Sequence, residues 1–155
     1  MLYKIFSFSN GLISPKSLKL INNVSRFERV ECDRKMSTAL DTVPRVEIDS
    51  SGVFKYILVN IYDKTKVNVE AIAIVRGYKR CHYHSDIYRE VREQLHPLGC
   101  EPLGGGRISH DAENSTIHIF GFSQAYGKAN HEVTAKLIKK TYPSNYTITT
   151  SDRDI

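Results

Sequence analysis

Hydrophobic and polar residues alternate with a period of two in several short stretches and with a helical period in two others. Val46 to Ile48 and Val53 to Tyr62 are β-branched and aromatic runs split by Asp49-Ser50-Ser51-Gly52, a spacing that predicts a hairpin. Phe54, Tyr56, Leu58 and Tyr62 alternate with Ile57, Val59 and Ile61, so most of the second run is apolar on both faces and reads as a central strand. A polar loop over 63–68 leads to a third strand at Ala71 to Val75, closed by Arg76-Gly77. Ser85 and Asp86 suit a helix N-cap. Ile87, Val91 and Leu95 follow at i, i+4 and i+8, which predicts a helix to about His96, stopped by Pro97 and Gly99. A strand is then expected from Ile108, a turn over Ala112 to Ser115, and a hairpin partner over Thr116 to Phe122. Asn130 caps a second helix with the apolar face Val133, Leu137 and Ile138, ended by Tyr142-Pro143, and Tyr146 to Thr150 forms a closing strand.

This order predicts a single compact domain of the α/β (α+β) class, with one mixed β-sheet of about six strands and two helices. The chain of 155 residues is long enough for one core and short for two. Its 41% hydrophobic and 25% charged residues are globular values. No stretch approaches the roughly 18 uninterrupted apolar residues of a membrane span, so a soluble protein is expected.

Charge changes this picture only at one end. The formal net charge is +5, but residues 1–36 hold seven Lys/Arg against three Asp/Glu, leaving fifteen against fourteen for the rest. A nearly neutral domain without a Lys/Arg stripe lacks the footprint of a nucleic-acid binder. The basic excess belongs to an N-terminal extension, 1–36. Up to Phe27 this segment has no acidic residue and five serines, and Leu20, Ile21, Val24 and Phe27 fall on one helical face. It resembles a mitochondrial presequence; the other readings are a disordered tail or a stretch bypassed by initiation at Met36. Cys32, Cys81 and Cys100 form no CxxC pair and are odd in number, which fits free thiols in a reducing compartment.

Four stretches carry groups that handle anions or protons. His84, in Cys81-His82-Tyr83-His84-Ser85-Asp86, stands near a helix start, where backbone N–H groups favour anions; a lone histidine there is also an ordinary surface residue. Gly104-Gly105-Gly106-Arg107 offers close backbone approach and a bidentate guanidinium, or else a sharp bend at a sheet edge. Gly121 to Asn130 is a small-residue loop between strand and helix. It fails as a P-loop, because five residues separate Gly121 from Gly127 and Ala129 replaces the Mg-binding hydroxyl. Lys55 is the charged residue inside the long apolar strand, and either snorkels to the rim or faces a site as a counter-charge. Paired zinc-ligand spacings are absent around His82, His84, His110 and His118, and no Cys-x5-Arg loop follows Cys81 or Cys100, so neither a metal site nor a cysteine nucleophile is expected.

Together, Val53-Phe54-Lys55-Tyr56, Val75-Arg76-Gly77-Tyr78, Tyr83-His84-Ser85-Asp86-Ile87-Tyr88, Leu103 to His110 with its Gly-Gly-Gly-Arg, and Gly121-Phe122-Ser123-Gln124-Ala125-Tyr126-Gly127 with His131 resemble the Janus family, which includes protein-histidine phosphatases. The resemblance covers residues 43–150, in order, and implies a phosphohistidine phosphatase domain over 43–152. It further implies hydrolysis of the P–N bond of phosphohistidine, with phospholysine as a further candidate substrate, and with no metal and no cofactor. It assigns His84 as the catalytic residue and Lys55, Ser123, Gln124, Ala125 and Arg107 to substrate binding. Phosphohistidine-bearing proteins are then the partners, and a monomer in the cytoplasm is expected, with a mitochondrial address through residues 1–36 as the alternative. Residues 79–82, Lys-Arg-Cys-His, depart from the family pattern beside His84, where they would tune access. The competing reading is a catalytically inactive Janus-like protein that binds phosphoproteins, with a role in sexual differentiation.

Overall fold

A computed structural model describes residues 39–67 and 70–152; the extension over 1–36 lies outside the described residues. The elements are β1 (Val46–Ile48), β2 (Gly52–Tyr62), β3 (Ile72–Gly77), α1 (His84–Gln94), β4 (Gly99–Asp111), β5 (Thr116–Phe120), α2 (His131–Thr141) and β6 (Thr147–Thr150). The six strands form one mixed sheet in the order β1-β3-β2-β4-β5-β6. β1 runs parallel to β3 and β5 parallel to β6, and the other neighbours are antiparallel. The predicted α+β layout, with two helices and a central second strand, is what the chain adopts.

The double apolar character of β2 follows from this placement. Tyr56 and Leu58 pack with Val75, Ile108, Ile117 and Ile119 under Ala135 and Ile138 of α2. Ile57, Val59 and Ile61 face the other way and pack with Ile74 under Ile87 and Val91 of α1. The helices therefore cover opposite faces of the sheet. Ile87 and Val91 are fully buried, and burial of such side chains contributes about 1.5–3 kcal/mol each to anchoring α1.

Three expectations about the strands are corrected. The runs 46–48 and 53–62 do not form a hairpin, because β3 lies between them. Its end captures the connecting turn: Asp49 N–H donates to Gly77 O at 3.1 Å, Lys79 N–H donates to the Asp49 carboxylate at 2.6 Å, and buried Arg76 donates to Pro44 O at 2.9 Å with Glu47 3.6 Å away. Arg76-Gly77 is accordingly part of β3 rather than its stop. The fourth strand starts at Gly99, well before Ile108, and the glycine run lies inside it, paired to β2 through Tyr56↔Gly106 and Ile57↔Gly105. The bend at a sheet edge is thus excluded, although the ladder does shift register between Leu58 and Val59.

The first helix also begins earlier than its capping signal suggests. Tyr83 is the N-cap and His84 the first helical residue, while the Asp86 carboxylate reaches back to accept from Tyr83 N–H at 3.1 Å. Asn130 caps α2 as expected, accepting from Val133 N–H at 3.1 Å.

Candidate functional site

Parity along the two central strands assembles the cationic groups. Lys55 lies opposite Arg107 in the β2–β4 ladder. Two residues further, on the same face, come Ile57 and its partner Gly105, so both cations stand just beyond the apolar layer under α1. The N-terminus of α1 brings His84 over this spot. Lys55, His84, Arg107, Gln124 and Ala125 line one cavity of about 390 Å³, together with His82, Tyr83, Ser85 and Phe122.

Gly105 makes the assembly possible. A Cβ at this position would lie 2.8 Å from the His84 ring, 3.1 Å from Ser123 Cβ and 2.7 Å from Tyr56 O. The missing side chain lets the imidazole and the 121–130 loop rest directly on the sheet, so at Gly105 the glycine makes room for other parts of the chain, where the sequence reading had the backbone approach a ligand.

His84 is buried, and its Nε2 lies 3.0 Å from Gly106 O. A carbonyl oxygen only accepts, so Nε2 carries the hydrogen and donates, and in the neutral ring Nδ1 keeps its lone pair. Burial holds the His84 pKa below its ordinary value, helped by the charges of Lys55 and Arg107, while the Gly106 bond opposes the shift. The ring is therefore a neutral base at pH 7.

The loop after β5 is built as a tight turn. Gly121 and Gly127 adopt positive φ of 71° and 76°. Ser123 N–H donates to Gly127 O at 3.1 Å, Gly127 N–H donates to Ser123 O at 2.8 Å, and the Ser123 hydroxyl accepts from Tyr126 N–H at 3.2 Å. Ser123 is buried and its groups serve the turn, whereas Gln124 and Ala125 sit on the exposed crest and line the cavity. Gly105 joins the loop to the sheet, donating to Gly127 O at 3.0 Å and accepting from Ala129 N–H at 3.1 Å.

A buried relay fixes the other end of this loop. Tyr56 O–H donates to His131 Nδ1 at 2.7 Å, and His131 Nε2–H donates to Gly121 O at 3.0 Å. Burial lowers the His131 pKa, so this ring too is held neutral. Tyr56→Phe leaves Nδ1 without its donor and is expected to cost about 1–3 kcal/mol, read as a lower urea midpoint at unchanged slope. Both histidines have folded pKa values below the unfolded value near 6.5. Between those values the unfolded chain binds more protons, so stability is fully present above pH 6.5 and is lost as pH falls through the folded values. Urea melts at pH 7.5 and 5.5 measure this directly, and an equal or higher midpoint at the lower pH contradicts it.

The cavity walls that the sequence did not assign to the site are Tyr83, Ser85 and Phe122. Tyr83 and Phe122 remain 69% and 54% exposed, large apolar faces that line the cavity. Their signal was adjacency: each stands immediately before an expected site residue, His84 or Ser123. Of the divergent residues 79–82, His82 reaches the cavity, while Cys81 is buried against Glu90, 3.3 Å from its carboxylate. Burial, reinforced by Glu90, pushes the Cys81 thiol up to about 11, the opposite of what a thiolate nucleophile needs.

Fold and site thus define a small α+β protein with a cation-lined cavity around a neutral, oriented histidine. The family model that matches residues 40–146 is that of the Janus/Ocnus family, and the chain belongs to this family. Among its relatives, the 14 kDa phosphohistidine phosphatase of Sus scrofa is 43% identical over 124 residues, covering 76% of this chain and 98% of the relative. The human protein of the same name is 44% identical over 115 residues, 71% of this chain and 91% of the relative. The sex-regulated protein janus-A of Drosophila yakuba is 38% identical over 139 residues, 88% and 92%. Among the described residues, no helix is long and apolar enough to cross a membrane.

Proposed function

We propose that this protein is a protein-histidine phosphatase that hydrolyses the P–N bond of phosphohistidine with His84 as nucleophile and without a metal. The observation that carries the reading is the His84 Nε2–H to Gly106 O bond, which presents a neutral Nδ1 lone pair in a cavity shared with Lys55 and Arg107. Relatives named phosphohistidine phosphatase at 43–44% identity support the substrate class.

Lys55 and Arg107 neutralise the phosphoryl oxygens, and the crest of the loop at Gln124 and Ala125, with the N-terminus of α1, cups them; Ser123 acts by holding the turn. The exposed faces of Tyr83 and Phe122 flank the leaving imidazole. Phosphoryl transfer requires mainly positioning and charge stabilisation, which such a cavity supplies for a labile P–N bond. Nδ1 of His84 forms a bond to phosphorus as the substrate P–N bond breaks, and the substrate imidazole, already protonated on its other ring nitrogen, departs as the neutral ring. Water then attacks phosphorus and the P–Nδ1 bond breaks; one water hydrogen stays on the inorganic phosphate, the other passes to solvent, and His84 is restored as the neutral ring with its hydrogen on Nε2. The first transfer exchanges one phosphoimidazole for another and is nearly isoenergetic.

The test is phosphate release from a phosphohistidine peptide by the full chain in EDTA, with rapid quench and mass analysis of His84. Chelator-resistant release with a transient phosphate on His84 is expected. Release without any phosphorylated His84 removes the nucleophile role and leaves His84 as base toward water; phosphate binding without release selects a non-catalytic phosphoprotein-binding protein.

A further inference from the structure

We propose that a basic trough along α1 docks an acidic polypeptide segment flanking the phosphohistidine, and so selects among substrate proteins. This inference rests on the phosphatase reading and deepens it. Ser85 lines both the catalytic cavity and a larger one of about 790 Å³, whose walls include Tyr88, Arg89, Arg92, His96 and Tyr126. A third cavity, of about 250 Å³, shares Tyr88, Arg92 and His96 and adds Lys64. The three are therefore neighbours that share wall residues. They form one path that leaves Lys55 and Arg107 and follows α1 toward its C-terminus.

The charge along this path is one-sided. Lys55, Arg107, Arg89, Arg92 and Lys64 line it, against the single carboxylate of Glu93. Asp86 lies 3.3 Å from Arg89, but as an i,i+3 pair with an exposed arginine it offsets little. Residues 37–155 as a whole are close to neutral, with fifteen Lys/Arg and fourteen Asp/Glu, so the excess in the trough is local and not a reflection of overall charge. Arg89, Arg92 and Lys64 are exposed, and Arg92 is held over the Tyr88 ring at 5.8 Å, which pre-orders its guanidinium.

The floor suits a peptide. Tyr88 and Tyr126 are half-buried and meet edge to face at 5.5 Å between centroids, a surface for the apolar parts of an extended chain. α1 has 11 residues, about 16 Å, room for about five extended residues. Discrete guanidinium groups interrupted by Glu93 match carboxylates at irregular spacing better than the regular phosphates of a nucleic acid.

The experiment compares phosphohistidine peptides of equal length whose flanking residues are all acidic or all lysine, with phosphoramidate as a small substrate lacking flanks. KM for the acidic peptide is expected to be at least tenfold lower, the ratio shrinking toward one in 0.5 M NaCl as screening grows. Arg89→Glu/Arg92→Glu is expected to abolish the preference and leave phosphoramidate hydrolysis unchanged; Arg92→Ser serves if the double variant melts early. Equal KM values for the two peptides, or a preference that survives both variants, overturn the docking role. If no substrate releases phosphate, the phosphatase reading fails separately. Anisotropy of a labelled, unphosphorylated acidic peptide then decides: tenfold weaker binding in the variant supports the trough, and unchanged binding overturns it. A single-stranded oligonucleotide that binds more tightly than the acidic peptide and is lost in the same variant overturns the peptide as occupant.

Discussion

His84→Ala is expected to lower phosphohistidine hydrolysis by about a thousandfold or more while the protein stays folded. The ring contributes the Nδ1 lone pair on which the first bond depends, and no other described imidazole is both oriented by a backbone carbonyl and open to the cavity. His131 is locked between Tyr56 and Gly121, His110 donates to Asp49 O at 2.7 Å and packs against Tyr142 and Tyr146, and His82 lines the cavity with no such partner. The structural cost is small, because the ring makes one hydrogen bond, worth about 1 kcal/mol. Circular dichroism melts establish folding, and phosphate release from the same preparation establishes activity. A folded variant with normal turnover removes His84 from the chemistry.

Lys55→Ala is expected to lower kcat/KM by about 2–4 kcal/mol, roughly 30- to 1,000-fold, if its ammonium stabilises the transferring phosphoryl group as a preorganised donor does. The same substitution has a readout independent of turnover. Lys55 is one of the charges that depress the His84 pKa, so its removal raises that pKa and moves the acid limb of the pH–rate profile to higher pH. Burial, the larger cause, is untouched, and the shift is therefore partial. Titration of the His84 ring by NMR in both proteins measures it. Rates within twofold of wild type and an unmoved titration together exclude Lys55 from the site.

These residues also mark where sequence reading succeeds and stops. On periodicity alone Lys55 read as a rim residue rather than a site residue, because a strand pattern states which face a side chain takes and not what lies above that face. The resemblance implied a substrate role. The structure supplied the neighbours, Arg107 across the ladder and His84 from α1. Arg107 itself was seen with its glycines, yet the strand containing them was missed, since three consecutive glycines carry no β-propensity and only pairing with β2 extends them.

The sequence by itself determined the element order, both helices, the central position of β2 and the candidate residues His84, Lys55, Arg107 and Ser123 to Ala125, because periodicity, capping and family motifs are local properties of the chain. Tertiary structure alone decided the rest. It inserted β3 between β1 and β2, since the bonds of Arg76, Asp49 and Lys79 across the sheet outweigh a four-residue turn signal. It turned Ser123 inward to hold its loop and set Nδ1 of His84 free by giving Nε2 to Gly106 O. It also lined up Arg89, Arg92 and Lys64, distant or offset in sequence, along one trough. Hydrogen-bond partners and charge neighbours of this kind are fixed by packing between segments far apart in the chain, which no local pattern encodes.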